Sequence, residues 1–178
     1  MDFIATIMAD QRSSSTSFTY NAFISYSVNE NSRRSIASYL WRSLNGKGIH
    51  TFIDDQEPLF ISPELSADYC KVIQESPIAI IVLSEEYLES SCCLGELTYI
   101  VDNFQQNHNN RFIIIIPVSY NIDVSSVREQ NGFFAQAFAM HEARFKDNKE
   151  NMKKWKNALS HEANLSEVWH FDNLWKYF

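Results

Sequence analysis

Two stretches of this chain run apolar from end to end at the length of a single strand. Residues 77–83 (PIAIIVL) and 112–118 (FIIIIPV, preceded by Arg111 at the start of that strand) show no alternation between an apolar and a polar face. A strand with one wet side alternates, whereas a strand covered on both sides does not. Helical periodicity lies before and between these runs. Ile36, Leu40 and Leu44 mark one helix face, and Leu94, Leu97, Ile100, Val101 and Phe104 mark another. No hairpin turn joins the strands. Strands alternating with helices require right-handed crossovers, so the chain reads as an α/β domain: a parallel sheet with helices on both faces.

The remaining elements follow from the same rules. Residues 20–25 (YNAFIS) and 49–53 (IHTFI) read as the first two strands, the second ending in Asp54-Asp55, and residues 168–171 (VWHF) as a short fifth. Gly46 and Gly48 supply stop signals after the first helix. Ser62-Pro63-Glu64-Leu65 has the form of an N-cap followed by proline at the first helical position, which predicts a helix from there to about residue 76. Ser84-Glu85-Glu86 opens another helical region, and later helices are expected over 135–145 and 152–163. Residues 1–19, with a Ser/Thr run over 13–17, read as a disordered leader, and residues 20–178 as one domain.

Composition narrows the function. The formal net charge of −7, with basic residues scattered among more numerous acids, argues against a nucleic-acid partner. Cys70, Cys92 and Cys93 are odd in number, include a vicinal pair and lack a CxxC spacing. They form neither a disulfide framework nor a zinc site, which suits a reducing, cytoplasmic setting. The apolar stretch over residues 3–8 is too short for a secretion signal, and no run approaches the roughly 20 residues of a membrane span.

In an open parallel sheet, ligands bind at the carboxyl ends of the strands near a topological switch point. This points to the loops after Ser25, Ile53, Leu83 and Val118. The first of these has no glycine-rich dinucleotide fingerprint, no P-loop is present, and Ser84 stands where a phospho-acceptor receiver would carry an aspartate. HExxH, Cys/His clusters and GxSxG are absent too, so neither a metal nor a serine-hydrolase site is indicated.

The pattern that remains resembles the plant-type TIR (Toll/interleukin-1 receptor-like) domain. Residues 20–26 (YNAFISY) are similar to the family's Y-D-V-F-L-S-F, and residues 47–55 (KGIHTFIDD) to its K-G-I-x-T-F-x-D-D. Residues 61–65 (ISPEL) and 73–76 (IQES) match I-S-P-E-L and I-E-E-S, and residues 93–97 (CLGEL) stand where the family has C-L-D-E-L. Residues 126–130 (SVREQ), 138–147 and 155–165 follow its later motifs in order. The resemblance implies a flavodoxin-like fold with a five-stranded parallel sheet in the order 2-1-3-4-5.

TIR domains of this kind are associated with cleaving the nicotinamide–ribose bond of NAD+, which is a substrate, so no cofactor is implied. Such chemistry needs one carboxylate beside a ribose that develops oxocarbenium character. By motif position that carboxylate is Glu96. Its place at the edge of an apolar helical stripe fits partial desolvation and a raised pKa, although spacing alone also fits a solvated helix glutamate. Ser25, Tyr26, Ser27, Ser84, Tyr87 and Cys92 are the candidate substrate contacts. Two of these, Ser27 and Cys92, are also departures from the family. Ser27 and Val28 stand for the Arg-Gly of F-R-G-E-D-T-R, Cys92 stands for a tryptophan, and the loop 56–60 is short.

The resemblance also implies partnership with other TIR domains. Ser38, Tyr39 and Trp41 on the first helix are the candidate self-association residues, Ser38-Tyr39 standing where the family often carries Ser-His. Three functions follow: an immune-signalling enzyme acting on NAD+, a non-catalytic module that binds other TIR proteins, and a nucleotide sensor that holds ligand without cleaving it.

Overall fold

The computed structural model describes residues 19–28, 36–54, 65–106, 114–146, 148–165 and 169–171. Strands β1 (Ala22–Ser25), β2 (Thr51–Ile53), β3 (Ile78–Leu83), β4 (Ile114–Tyr120) and β5 (Trp169–Phe171) form one sheet in the order β2-β1-β3-β4-β5. Every pairing is parallel. This is the order the family resemblance implies. The chain leaves β1 for β2 on one side and returns to β3 on the other, so the switch point lies between β1 and β3.

Side-chain parity sorts the two faces. Ala22, Ile24 and Tyr26 of the first strand and its exit, with Ile78, Ile80 and Val82 of β3, pack under helix α1 (Ile36–Gly46). Phe23, Ala79, Ile81 and Leu83 point the other way. That face is covered by α2 (Ala67–Glu75), α3 (Glu85–Glu89), α4 (Ser91–Gln106), α5 (Val124–Glu129), α6 (Gly132–Arg144) and α7 (Lys149–Ala163). All six residues of β3 are buried, which is why its sequence has no polar alternate. Each such aliphatic side chain contributes about 1.5–3 kcal/mol by leaving water.

The local ends of the helices have identifiable causes. Helix α1 closes when Gly48, at φ +76°, turns into the left-handed region. Ile49 N then donates to Leu44 O and Gly48 N to Asn45 O, the paired bonds of a Schellman end. Ser84 caps α3, its hydroxyl accepting from Tyr87 N at 3.2 Å. The start of α2 corrects the sequence reading. Residues 61–64 lie outside the described residues, but Leu65 is not helical and the helix begins at Ala67. Ser66 is its cap, accepting from Tyr69 N at 3.2 Å from an extended backbone, so the later serine satisfies the free amide. Helix α5, which the sequence reading left unassigned, is capped by Asp123.

Candidate functional site

The site is built where β1 and β2 end. Parity points Ser25 to the same face as Phe23, toward α3 and α4. Its hydroxyl shares a 2.7 Å hydrogen bond with the Tyr87 hydroxyl. Glu96 sits in the second turn of α4, three residues from Cys93 and one before the fully buried Leu97. Only 8% of Glu96 is exposed. Its Oε2 accepts from the Tyr69 hydroxyl at 3.0 Å, while Oε1 is buried without a hydrogen-bond partner. Tyr69 is itself held by edge-on contacts with Phe23 and Phe52, at 5.8 and 6.0 Å between ring centroids.

Burial is the main reason that the Glu96 pKa is pushed from 4.5 up to about 7, and the nearby Asp54 adds to it. The hydroxyls of Ser25 and Tyr69 act in the opposite direction. Ser25 is close enough to be felt, but its short bond is to Tyr87, and Oε1 has no bond of acceptable geometry; we therefore assign the serine hydroxyl to the tyrosine. Burial first, then Glu96, raises the Tyr69 phenol, which stays protonated and donating. Burial and Glu96 likewise push the Cys93 thiol up to about 12, so it is not a thiolate nucleophile at neutral pH. Cys92, half-buried in the first turn of α4, is raised chiefly by burial.

The other candidate contacts divide. Ser27 lies near Cys93, whose thiol it influences, and Cys93 Sγ donates to Tyr26 O at 3.7 Å. The Tyr26 side chain belongs to the opposite layer, with α1, so only its carbonyl accompanies the site. The strand period of two turns its side chain to the face opposite that of Ser25. Tyr87 has no accessible surface, and its hydroxyl is bonded to that of Ser25. Ser84 spends its hydroxyl on the α3 cap. Ser38 and Tyr39 are half-buried on α1, and Trp41 is 38% exposed while its indole N–H donates to Thr51 O at 2.9 Å.

Sequence reasoning missed Tyr69 and placed Asp54 only as the end of the second strand. Only Tyr69's spacing to Ile73, four residues on and on one helix face, hinted that it points inward. The loop 56–60, Asp55 and the family-like residues 29–33 lie outside the described residues.

The arrangement is a mostly buried carboxyl with one oxygen fixed by a neutral donor and the other uncommitted. Among the described residues no Lys or Arg forms an ion pair with it. Such a group can accept hydroxyls from a sugar or stabilise positive charge arising beside it. Among the described residues, no set of three His, Cys, Asp or Glu side chains is disposed to hold a metal, and no helix is long and apolar enough to cross a membrane.

A flavodoxin-like sheet with an acidic site at the ends of its first two strands defines the class, and the TIR domain family model matches residues 19–176. This chain belongs to the TIR family. It is 40% identical over 156 residues to TMV resistance protein N of Nicotiana glutinosa, covering 86% of this chain and 13% of that protein. It is 38% identical over 154 residues to disease resistance protein RPV1 of Vitis rotundifolia, covering 85% and 10%. The chain thus spans about a tenth of the length of these plant relatives. The TIR domains of the activated Roq1 resistosome, solved in recognition of the pathogen effector XopQ, superpose with a TM-score of 0.74. They share 35% identity, covering 89% of this chain and 91% of that one.

Proposed function

We propose that this domain acts in plant immune signalling by cleaving the nicotinamide–ribose bond of NAD+, with Glu96 as the catalytic carboxylate and with TIR self-association required for activity. The observation that carries the reading is the state of Glu96: 8% exposed, tied through Oε2 to Tyr69, and free at Oε1. In the reaction the C1′–N bond breaks and its electron pair leaves with neutral nicotinamide. Water then adds to the ribosyl cation and loses a proton, giving ADP-ribose. Ionised Glu96 is suited to hold the ribose hydroxyls and offset the positive charge at C1′. Held near 7, the acid is about half ionised at neutral pH, and an approaching pyridinium cation favours its charged form.

Nicotinamide release from NAD+ by concentrated protein, followed by chromatography, tests this directly. Wild type should release nicotinamide, Glu96→Gln should not, and an inert wild-type chain at high concentration would refute the catalytic reading. The resistosome relative supports the requirement for assembly, since its TIR domains were solved in the activated complex.

A second reading has its own support. Ser27 and Val28 where the family carries Arg-Gly, and Cys92 where it carries tryptophan, remove a guanidinium and an aromatic face from the loop around the acid. The domain would then bind other TIR domains through α1, around Ser38, Tyr39 and Trp41, without turnover. An inactive wild type that associates with a second TIR protein, and loses that association on Trp41→Ala, would establish it.

A further inference from the structure

Although the sequence reading took the basic residues as scattered among the acids, this chain departs from that in one stretch. Six of its 15 Lys and Arg residues fall between positions 144 and 156, where only Asp147 and Glu150 oppose them. The end of α6 and the first turns of α7 enclose a hollow of about 570 Å³ there. Lys146, Lys149, Lys153 and Lys156 line it, over an apolar floor of half-buried Phe145 and buried Met152. None of the residues around Glu96 takes part.

Two of the acids nearby are already engaged. Glu142, also in the lining, pairs with Lys156 at 3.0 Å, and Glu150 pairs with Lys154 at 3.2 Å. Lys146, Lys149 and Lys153 are exposed and make no ion pair among the described residues. Lys149 and Lys153 stand four residues apart on one helix, an arrangement in which like charges repel. A bound polyanion would offset that repulsion. The hollow has the volume typical of small-molecule sites, and compact ammonium groups on flexible stems suit clustered phosphate oxygens.

We propose that this α6–α7 groove binds a small molecule bearing contiguous phosphates, its phosphates on Lys146, Lys149 and Lys153. Two sources share that chemistry: inorganic polyphosphate and a nucleoside polyphosphate whose base rests on Phe145 and Met152. The proposal does not depend on Glu96.

Calorimetric titration of the Glu96→Gln chain at low salt, with tripolyphosphate in one arm and ATP in the other, is the test. Saturable binding is expected in at least one arm, and tighter binding of ATP identifies the nucleotide as the fit. Lys149→Gln/Lys153→Gln should weaken binding by on the order of tenfold, and thermal melting should show the variant folded. If that variant unfolds, the single Lys146→Gln change, outside the helix, supplies the comparison. Lys71→Gln, on α2 and remote from the groove, should leave affinity unchanged. Failure to saturate either arm by about 5 mM, equal weakening by Lys71→Gln, or binding only of long single-stranded DNA would overturn the proposal.

Discussion

Glu162 of α7 is fully buried, both of its carboxylate oxygens lack hydrogen-bond partners, and burial alone pushes its pKa from 4.5 up to about 8. It joins Glu96, raised from 4.5 to about 7, as a second acid that folding keeps protonated. A carboxyl raised in the folded state contributes its full share of stability below the unfolded pKa and loses it as pH rises toward the folded one. At about 1.4 kcal/mol per pKa unit, the shift of Glu162 lowers stability by about 5 kcal/mol above pH 8 relative to acid conditions. The shift of Glu96 lowers it by about 3 kcal/mol above pH 7 on the same scale. Between about pH 5 and 6.5 the native state holds two protons that the unfolded chain has released, so stability should fall by about 2.7 kcal/mol per pH unit. Glu162→Leu removes one of those protons. Its slope should halve, and at pH 7 it should be more stable than wild type by about 3 kcal/mol. Glu162→Gln should halve the slope as well, with a smaller gain because an unpaired amide stays in the core. Urea unfolding at a series of pH values within that window measures both slopes. An unchanged slope in both variants, or a Glu162→Leu chain less stable at pH 7, would refute the claim that this side chain is a buried neutral acid.

The neighbours of Glu96 should tune it in opposite directions. Tyr69→Phe removes the 3.0 Å donor and should move the acid limb of the nicotinamide-release profile above about pH 7, whereas Asp54→Asn removes a like charge and should move it below. Because the ionised acid is the active form, activity should rise with pH through that limb; a falling profile would contradict the assignment. Ser84→Ala leaves the first turn of α3 without its cap and should lower stability by about 1 kcal/mol in chemical denaturation. Gly48→Ala places a side chain at φ +76° and should cost about 1 kcal/mol in the same assay.

Much of the fold was legible because two periods differ. The unbroken apolar run of β3 could be satisfied only between two covered faces, and the 36/40/44 stripe only by a helix above a sheet. The start of α2 was misjudged because two serines compete within five residues, and a proline after the first made it the stronger local signal; the side-chain bond from Ser66 decides the matter. At the site, motif position and stripe geometry singled out Glu96, but Tyr69 approaches it from 27 residues away, and no local rule encodes that meeting. Ser25 and Tyr26 are adjacent in sequence, but the pleat sends their side chains to opposite layers, a separation that a list of neighbouring candidates does not display.

That pleat also governs where the molecule can change. β1 is four residues long, and its successive side chains serve two separate layers at once. Gaining or losing a single residue within it would swap Phe23 and Ser25 with Ile24 and Tyr26, emptying one layer while crowding the other. The ligand rim is therefore free to be rewritten from Ser27 onward, while the four positions before it act as a ratchet that admits no half step.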